Sequence, residues 1–157
     1  MSKASSSPDA HRHDSVGAWA KRLYFASRAV MDTVLRPYGL GSTQWYVLYQ
    51  LATQGATMQR ELVEIMNIER ATLSGIVATL VRKGLVSQIP DADDQRQRML
   101  RLTRAGSKLW NALPNPVEQI LRVAFHGADP AEMEIARMVL ETATKQLNEH
   151  DWEGEQA

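Results

Sequence analysis

Apolar residues recur at helical spacing along most of this chain, and the places where that rhythm breaks mark its elements. From Asp14 onward, Val16, Trp19, Leu23, Val30 and Val34 share a helical stripe, while Lys21, Arg22 and Arg28 fall mostly on other faces. Pro37 ends this helix near Arg36, because the residue before a proline is pushed out of helical geometry. "PYGLGS" then makes a turn, with Ser42 or Thr43 as N-cap of a second helix whose stripe is Trp45, Leu48, Leu51 and Ala52. Gly55 stops it from the C′ position. A short helix over about 59–66 leads through "NIE" into a longer one, "RATLSGIVATLVRKG", in which Leu73, Ile76, Val77 and Leu80 share one arc and Gly84 closes the end.

The period then changes. "LVSQI" and "RMLRL" are β-like runs, and residues 85–102 read as a two-stranded hairpin. "LTRAG" starts another helix, interrupted near "LPNP" because Pro114 and Pro116 remove donors and clash with the preceding turn; "VEQILRVAF" resumes it. Asp129-Pro130-Ala131-Glu132 combines an N-cap Asp, Pro at N1 and Glu at N3. In the helix that follows, Met133, Ala136, Leu140, Ala143 and Leu147 keep a 3-4-3-4 spacing. Residues 1–13 read as a disordered Ser-rich tail and 151–157 as an acidic tail in which Trp152 is free to dock.

A short helix, a turn, a longer helix and then a basic hairpin is the order of a winged helix-turn-helix, whose second helix enters the DNA major groove. The fold class is therefore mainly α with a small β-hairpin. Opposite the buried arc of the longer helix lie Ala71, Gly75, Ala78 and Arg82, flanked by Thr72, Ser74 and Thr79. Small residues and hydroxyls let a helix axis sit deep in a groove roughly 12 Å wide. Gly75 in mid-helix costs about 1 kcal/mol relative to Ala. Two readings account for it: close approach by another backbone or a base edge, or relief of crowding against a neighbouring helix.

Charge sharpens this picture. The chain of 157 residues has 18 Lys/Arg and 18 Asp/Glu, a neutral total that argues at first against nucleic acid. The balance is uneven, however. Residues 56–108 hold nine Lys/Arg against six Asp/Glu, whereas 109–157 hold three against nine. The hairpin segment "PDADDQRQRMLRLT" gathers Arg96, Arg98 and Arg101 beside a turn made by Pro90, Asp91, Asp93 and Asp94, as a wing would.

Three segments, "YGLGSTQWYVLYQLATQG", "RATLSGIVATLVRKGLV" and "PDADDQRQRMLRLTRAG", together resemble the MarR family of bacterial transcriptional regulators over roughly residues 15–150. The most specific parts are Gly84-Leu85-Val86, Asp94-x-Arg96 and Leu102-Thr103. The resemblance implies a homodimer whose N- and C-terminal helices interlock, so that two winged helices reach successive major grooves of a pseudo-palindromic operator in double-stranded DNA. It implies Arg96 in or beside the minor groove, Asp94 bracing its guanidinium, and Thr72, Ser74, Gly75 and Thr79 facing base edges. Arg70, Arg82 and Arg98 complete the candidate DNA-binding set. The organisation that follows is a dimerisation helix at 14–36, a winged helix-turn-helix at 42–108 and C-terminal dimerisation helices at 109–150. The spaced apolar rows of the first and last helices support the dimer independently, because nothing else in the chain is left to cover them. Three positions depart from the family pattern: Gln95 stands where Arg often follows the wing Asp, Gly75 where a basic side chain is common, and Met58 where Thr or Ser often caps, leaving Thr57 as a shifted cap.

Members of the family commonly bind small phenolic or aromatic carboxylates as effectors. Trp19, Tyr24, Tyr38, Trp45, Tyr46 and Tyr49 are the aromatic candidates for such a site, joined by Arg22 as a carboxylate partner. Helical spacing places most of these aromatics in a core; Tyr46 and Tyr49, off the Trp45/Leu48 stripe, are the better pocket candidates.

Other chemistry finds little support. The chain has no cysteine, which excludes thiolate nucleophiles, disulfides and Cys-ligated zinc. His11-x-His13 lacks further ligands at metal spacing, Gly39-Leu40-Gly41 is turn chemistry, and no GxSxG, HExxH or P-loop pattern occurs. No catalytic residue, metal or cofactor is expected. No apolar run approaches the ~20 residues of a membrane span, and "MSKASSSPDAHRHD" lacks a signal-peptide core, so a cytoplasmic protein is expected. The expected function is a dimeric regulator, most often a repressor in this family, released by a small-molecule effector; the alternative is a winged-helix protein-interaction module that does not bind DNA.

Overall fold

The computed structural model describes residues 14–90 and 98–152. Helix α1 (Val16–Leu35) starts at Ser15, whose hydroxyl accepts from the Ala18 amide at 3.1 Å. It buries Met31 and Leu35 alone. The apolar stripe of Val16, Trp19, Leu23 and Val30 is exposed, as expected of a row that nothing else in the chain covers, and Val34 is half-buried. A 3-10 turn over Arg36–Tyr38 ends at Gly39 in left-handed geometry. It leads into α2 (Ser42–Gln54).

The N-cap of α2 is Gly41, not Ser42 or Thr43. Ser42 is already helical and buried, and its amide donates to the Asp32 carboxylate of α1 at 3.0 Å, so a tertiary contact replaces the local cap. Thr57 does not cap either. It lies in a two-residue strand, β1 (Thr57–Met58), and its hydroxyl donates to the Gly55 carbonyl at 3.0 Å. Met58 is the N-cap of α3 (Gln59–Met66), and its amide donates to Glu61 at 3.3 Å. Asn67, with φ 48°, turns the chain toward α4 (Arg70–Arg82).

The hairpin of β2 (Val86–Pro90) and β3 (Arg98–Leu102) pairs Val86 with Leu102 and Pro90 with Arg98. It is part of a three-stranded antiparallel sheet in the order β1-β3-β2, with Thr57 opposite Leu100. The expected two strands are thus three, because β1 closes the inner edge of the wing. The wing tip, which carries Asp94, Gln95 and Arg96, lies outside the described residues, as do residues 1–13 and 153–157.

One core unites these elements. Leu35, Val47, Leu48, Leu62, Leu73, Leu80 and Leu100 are fully buried, so α1, α2, α3, α4 and β3 all contribute to it. Each such side chain contributes about 1.5–3 kcal/mol. Leu109, Trp110, Leu113, Val117 and Ile120 pack on its margin, so the core reaches past Lys108 into α5 (Arg104–Ala112) and the start of α6 (Pro116–Ala124). The chain forms two compact units that divide between Ile120 and Leu121. In the second, Asp129 caps α7 (Pro130–Glu149) by accepting from the Ala131 amide at 2.7 Å. No residue of α7 is buried; Ile135, Met138, Val139, Leu140 and Leu147 are exposed. The Trp152 indole N–H donates to the Leu147 carbonyl at 3.3 Å.

The wing is fastened to α5 at one tight point. The Thr103 amide donates to the Leu85 carbonyl at 3.0 Å, and its hydroxyl donates to the Gly84 carbonyl at 2.6 Å while accepting from the Gly106 amide at 3.0 Å. A side chain at Gly106 would place its Cβ 2.0 Å from the Leu85 carbonyl oxygen, which belongs to backbone and has no rotamer to yield. Gly106→Ala is therefore expected to destabilise the fold by about 1–3 kcal/mol. Chemical denaturation of purified parent and variant measures this, and an unchanged midpoint would show that the approach is looser than it stands.

Candidate nucleic-acid interface

Burial of Leu73, Val77 and Leu80 turns the opposite face of α4 outward. Ala71, Thr72, Ser74, Gly75, Ala78 and Arg82 are exposed, Thr79 is half-buried, and Arg70 stands exposed at the N-terminal end. A Cβ built on Gly75 meets nothing within 4 Å. No neighbouring helix among the described residues crowds it, and an open, shallow notch remains.

The hydroxyls of this face are held by defined partners. Ser74 Oγ donates to the Arg70 carbonyl at 2.9 Å and accepts from Gln59 Nε2 at 3.1 Å. Gln59 Oε1 in turn accepts from Gln88 Nε2 of β2 at 2.8 Å. Thr79 Oγ1 donates to the Gly75 carbonyl at 3.0 Å and accepts from Arg82 Nη2 at 3.0 Å. On the wing, Arg98 and Arg101 are exposed, and Arg101 Nε donates to Ser87 at 3.2 Å. The ion pairs among the described residues lie on α7, and among those residues Arg70, Arg82, Arg98 and Arg101 have no carboxylate partner. Asp94 and Arg96 fall outside the described residues.

A second concavity, a cleft of about 420 Å³, opens between α1, α2, α3 and the turn at Ile68. Tyr46 and Tyr49 line it, together with Tyr24, Arg28, Thr43 and Gln50. Arg28 Nη1 donates to the Tyr24 hydroxyl at 3.2 Å, and this contact favours the charged guanidinium. Burial, with Tyr24 nearby, holds Tyr46 above the usual phenol range, so it remains a neutral donor at physiological pH.

The other aromatic candidates do not line this cleft. Trp45 is a core residue, stacked on Tyr49 at 5.3 Å and set against Trp110 at 5.5 Å. Trp19 donates from Nε1 to Asp14 at 2.8 Å and carries the Arg22 guanidinium 4.8 Å over its ring, which occupies the arginine expected to meet a carboxylate. Tyr38 is exposed in the 3-10 turn.

The family model described as MarR family matches residues 38–97, the helix-turn-helix and most of the wing. The transcriptional repressor NicR of Pseudomonas putida is 28% identical over 119 residues, 76% of this chain and 75% of that protein. The structure of Bordetella bronchiseptica BpsR, whose DNA binding is regulated by 6-hydroxynicotinic acid, is 26% identical with a TM-score of 0.72, covering 90% of this chain and 98% of that one. Family model, curated relative and solved structure all point to the MarR family.

A mutant MarR of Escherichia coli complexed with operator DNA shares the fold of this chain, with a TM-score of 0.77 over 87% of this chain and 99% of that one at 17% identity. The chain is a DNA-binding transcriptional regulator. No described helix is long and apolar enough to cross a membrane.

Sequence reasoning missed three contributors to these sites. Gln59 and Gln88 contact each other across 29 positions, and Gln59 reaches Ser74 across 15. Arg28 replaces Arg22 as the cleft cation; the signal available was the Arg28/Tyr24 spacing of four, which puts the pair on one face of α1. Because Gly75 is open, Gly75→Ala should stabilise the fold by about 0.5–1 kcal/mol. It should also weaken duplex binding if bases approach the notch. Paired thermal unfolding and gel-shift measurements check both signs, and a more stable variant that binds as tightly as the parent would remove Gly75 from the contact surface.

Proposed function

We propose that this regulator acts as a homodimer, most naturally a repressor, on a pseudo-palindromic operator. Thr72, Ser74, Gly75 and Thr79 of α4 face base edges, Arg70 and Arg82 flank them, and the wing with Asp94, Arg96 and Arg98 lies along the backbone. The observation that carries the reading is the outward face of α4: two small residues, a glycine notch and held hydroxyls, set on a helix whose other side is fully buried. The exposed apolar faces of α1 and α7 support the dimer, since helices with this much open apolar surface require a partner.

Release falls to a small aromatic acid in the cleft. A carboxylate would meet the Arg28 guanidinium and a ring hydroxyl the phenols of Tyr46 and Tyr49, with Met31 and Ile65 as apolar walls. BpsR responds to 6-hydroxynicotinic acid, a ring with one carboxylate and one oxygen substituent, and this chemistry suits the same set of groups.

Two measurements test the reading. In gel shifts with duplex from upstream of its own gene, Arg96→Ala and Arg98→Ala are each expected to weaken binding for every duplex sequence and to lower the slope of log affinity against log salt by about 0.9. Parent-like slopes would displace the wing from the backbone, and no binding by the parent would favour the protein-interaction alternative. For the effector, hydroxylated aromatic carboxylates should raise the melting temperature of the parent, and Arg28→Ala should lose about ten- to a hundredfold in affinity, as expected for one charged hydrogen bond. Equal shifts in both proteins would take Arg28 out of the site.

A further inference from the structure

A chain of hydrogen bonds runs one way from the wing to the backbone of α4. The Arg70 carbonyl can only accept, so the Ser74 hydroxyl hydrogen points to it. The group facing the Ser74 oxygen must then donate, which turns Gln59 Nε2 toward Ser74 and Gln59 Oε1 toward Gln88, whose Nε2 donates in turn. Each link fixes the sense of the next, and aligned donors strengthen one another. A hydroxyl has one hydrogen and two lone pairs; here the hydrogen and one lone pair are engaged, leaving a single lone pair open. Thr79 is in the same state, its hydrogen on the Gly75 carbonyl and one lone pair on Arg82.

We infer that Gln59, a residue of the first helix of the helix-turn-helix, is a positioning residue for operator specificity: it holds Ser74 as an acceptor only, so that Ser74, like Thr79, reads the exocyclic amino group of adenine or cytosine. This rests on α4 being the base-reading helix. In the major groove the donors are adenine N6 and cytosine N4, whereas thymine O4, guanine O6 and purine N7 accept. An acceptor-only hydroxyl therefore distinguishes the orientation of a base pair, which a freely rotating serine would not. Gln88 extends the device to β2, so the conformation of the wing strand and the chemistry of the reading face are linked through one amide.

The test uses the full-length protein and duplexes from upstream of its own gene. Each adenine of a half-site is replaced in turn by purine, and each cytosine by 2-pyrimidinone, so that one amino group is lost at a time. The parent is expected to lose about fivefold in affinity at one position, as for a single hydrogen bond, while Ser74→Ala loses nothing further there. Thr79→Val should be similarly insensitive at a second position. Gln59→Leu, which leaves Ser74 in place but frees its hydroxyl to rotate, should reduce the loss at the Ser74 position to less than about twofold while its melting temperature stays near that of the parent. If Gln59→Leu keeps the full parental loss, or if no position separates the parent from Ser74→Ala, the inference falls while DNA binding stands. A parent that binds none of the duplexes overturns the base-reading assignment and this inference with it.

Discussion

The rotation of α4 about its own axis is the constraint on which the rest depends. Leu73, Val77 and Leu80, spaced by four and three, are locked into a core that also holds Leu35, Leu48, Leu62 and Leu100. Burial of the three contributes several kcal/mol at about 1.5–3 kcal/mol each, and none can leave the core without that loss. A turn of one residue, about 100° on a helix of 3.6 residues per turn, would expose Leu73 and bury Thr72 or Ser74 in its place. The outward set is therefore a consequence of the inward one. The fold contributes to recognition mostly by holding this face still.

Polar contacts then refine what the core has placed. The Gly106 approach to Leu85 and the Thr103 bonds to Gly84 and Leu85 fasten the end of α4 and the start of the wing to α5. Lys83 Nζ donates to the Gly39 carbonyl and, at 3.3 Å, to Gln44, tying the C-terminal end of α4 to the turn before α2. The Gln88–Gln59–Ser74 relay acts at the opposite, N-terminal half of the same helix. Held at both ends, α4 has few ways to shift without disturbing the elements that line the aromatic cleft. Since α2 and α3 contribute to both the cleft and the core around α4, the cleft and the outward face of α4 belong to one packed unit.

Much of this architecture was legible in the sequence because the residues that dominate its packing recur periodically. The α4 arc of Leu73, Val77 and Leu80, the short helix before it, the hairpin strands and the Asp129-Pro130 start all follow from spacing and cap chemistry. What escaped depends on contacts distant in sequence or too short to show a period. A strand of two residues, Thr57–Met58, has no alternation to read. The cap of α2 went to Gly41 because Asp32, ten residues earlier, satisfies the Ser42 amide. Helix α1 is apolar on several faces, so spacing alone chose the stripe at Val16 and Trp19, whereas the chain itself buries Met31 and Leu35. The same ambiguity selected Arg22, which rests on Trp19, over Arg28, which enters the cleft. Trp45 went to the core on its own stripe, and Tyr46 and Tyr49, off that stripe, reached the cleft wall as their spacing suggested.

The absence of cysteine allows a direct measurement of the central claim, that the outward face of α4 meets duplex DNA. Single thiols introduced as Ala78→Cys on that face and as Asn111→Cys on the exposed surface of α5 can be alkylated with and without duplex from upstream of the gene. The account expects duplex to slow modification of the thiol at position 78 and to leave that at 111 unchanged. Equal protection at both positions, or none at 78 under conditions where the complex forms, would contradict it.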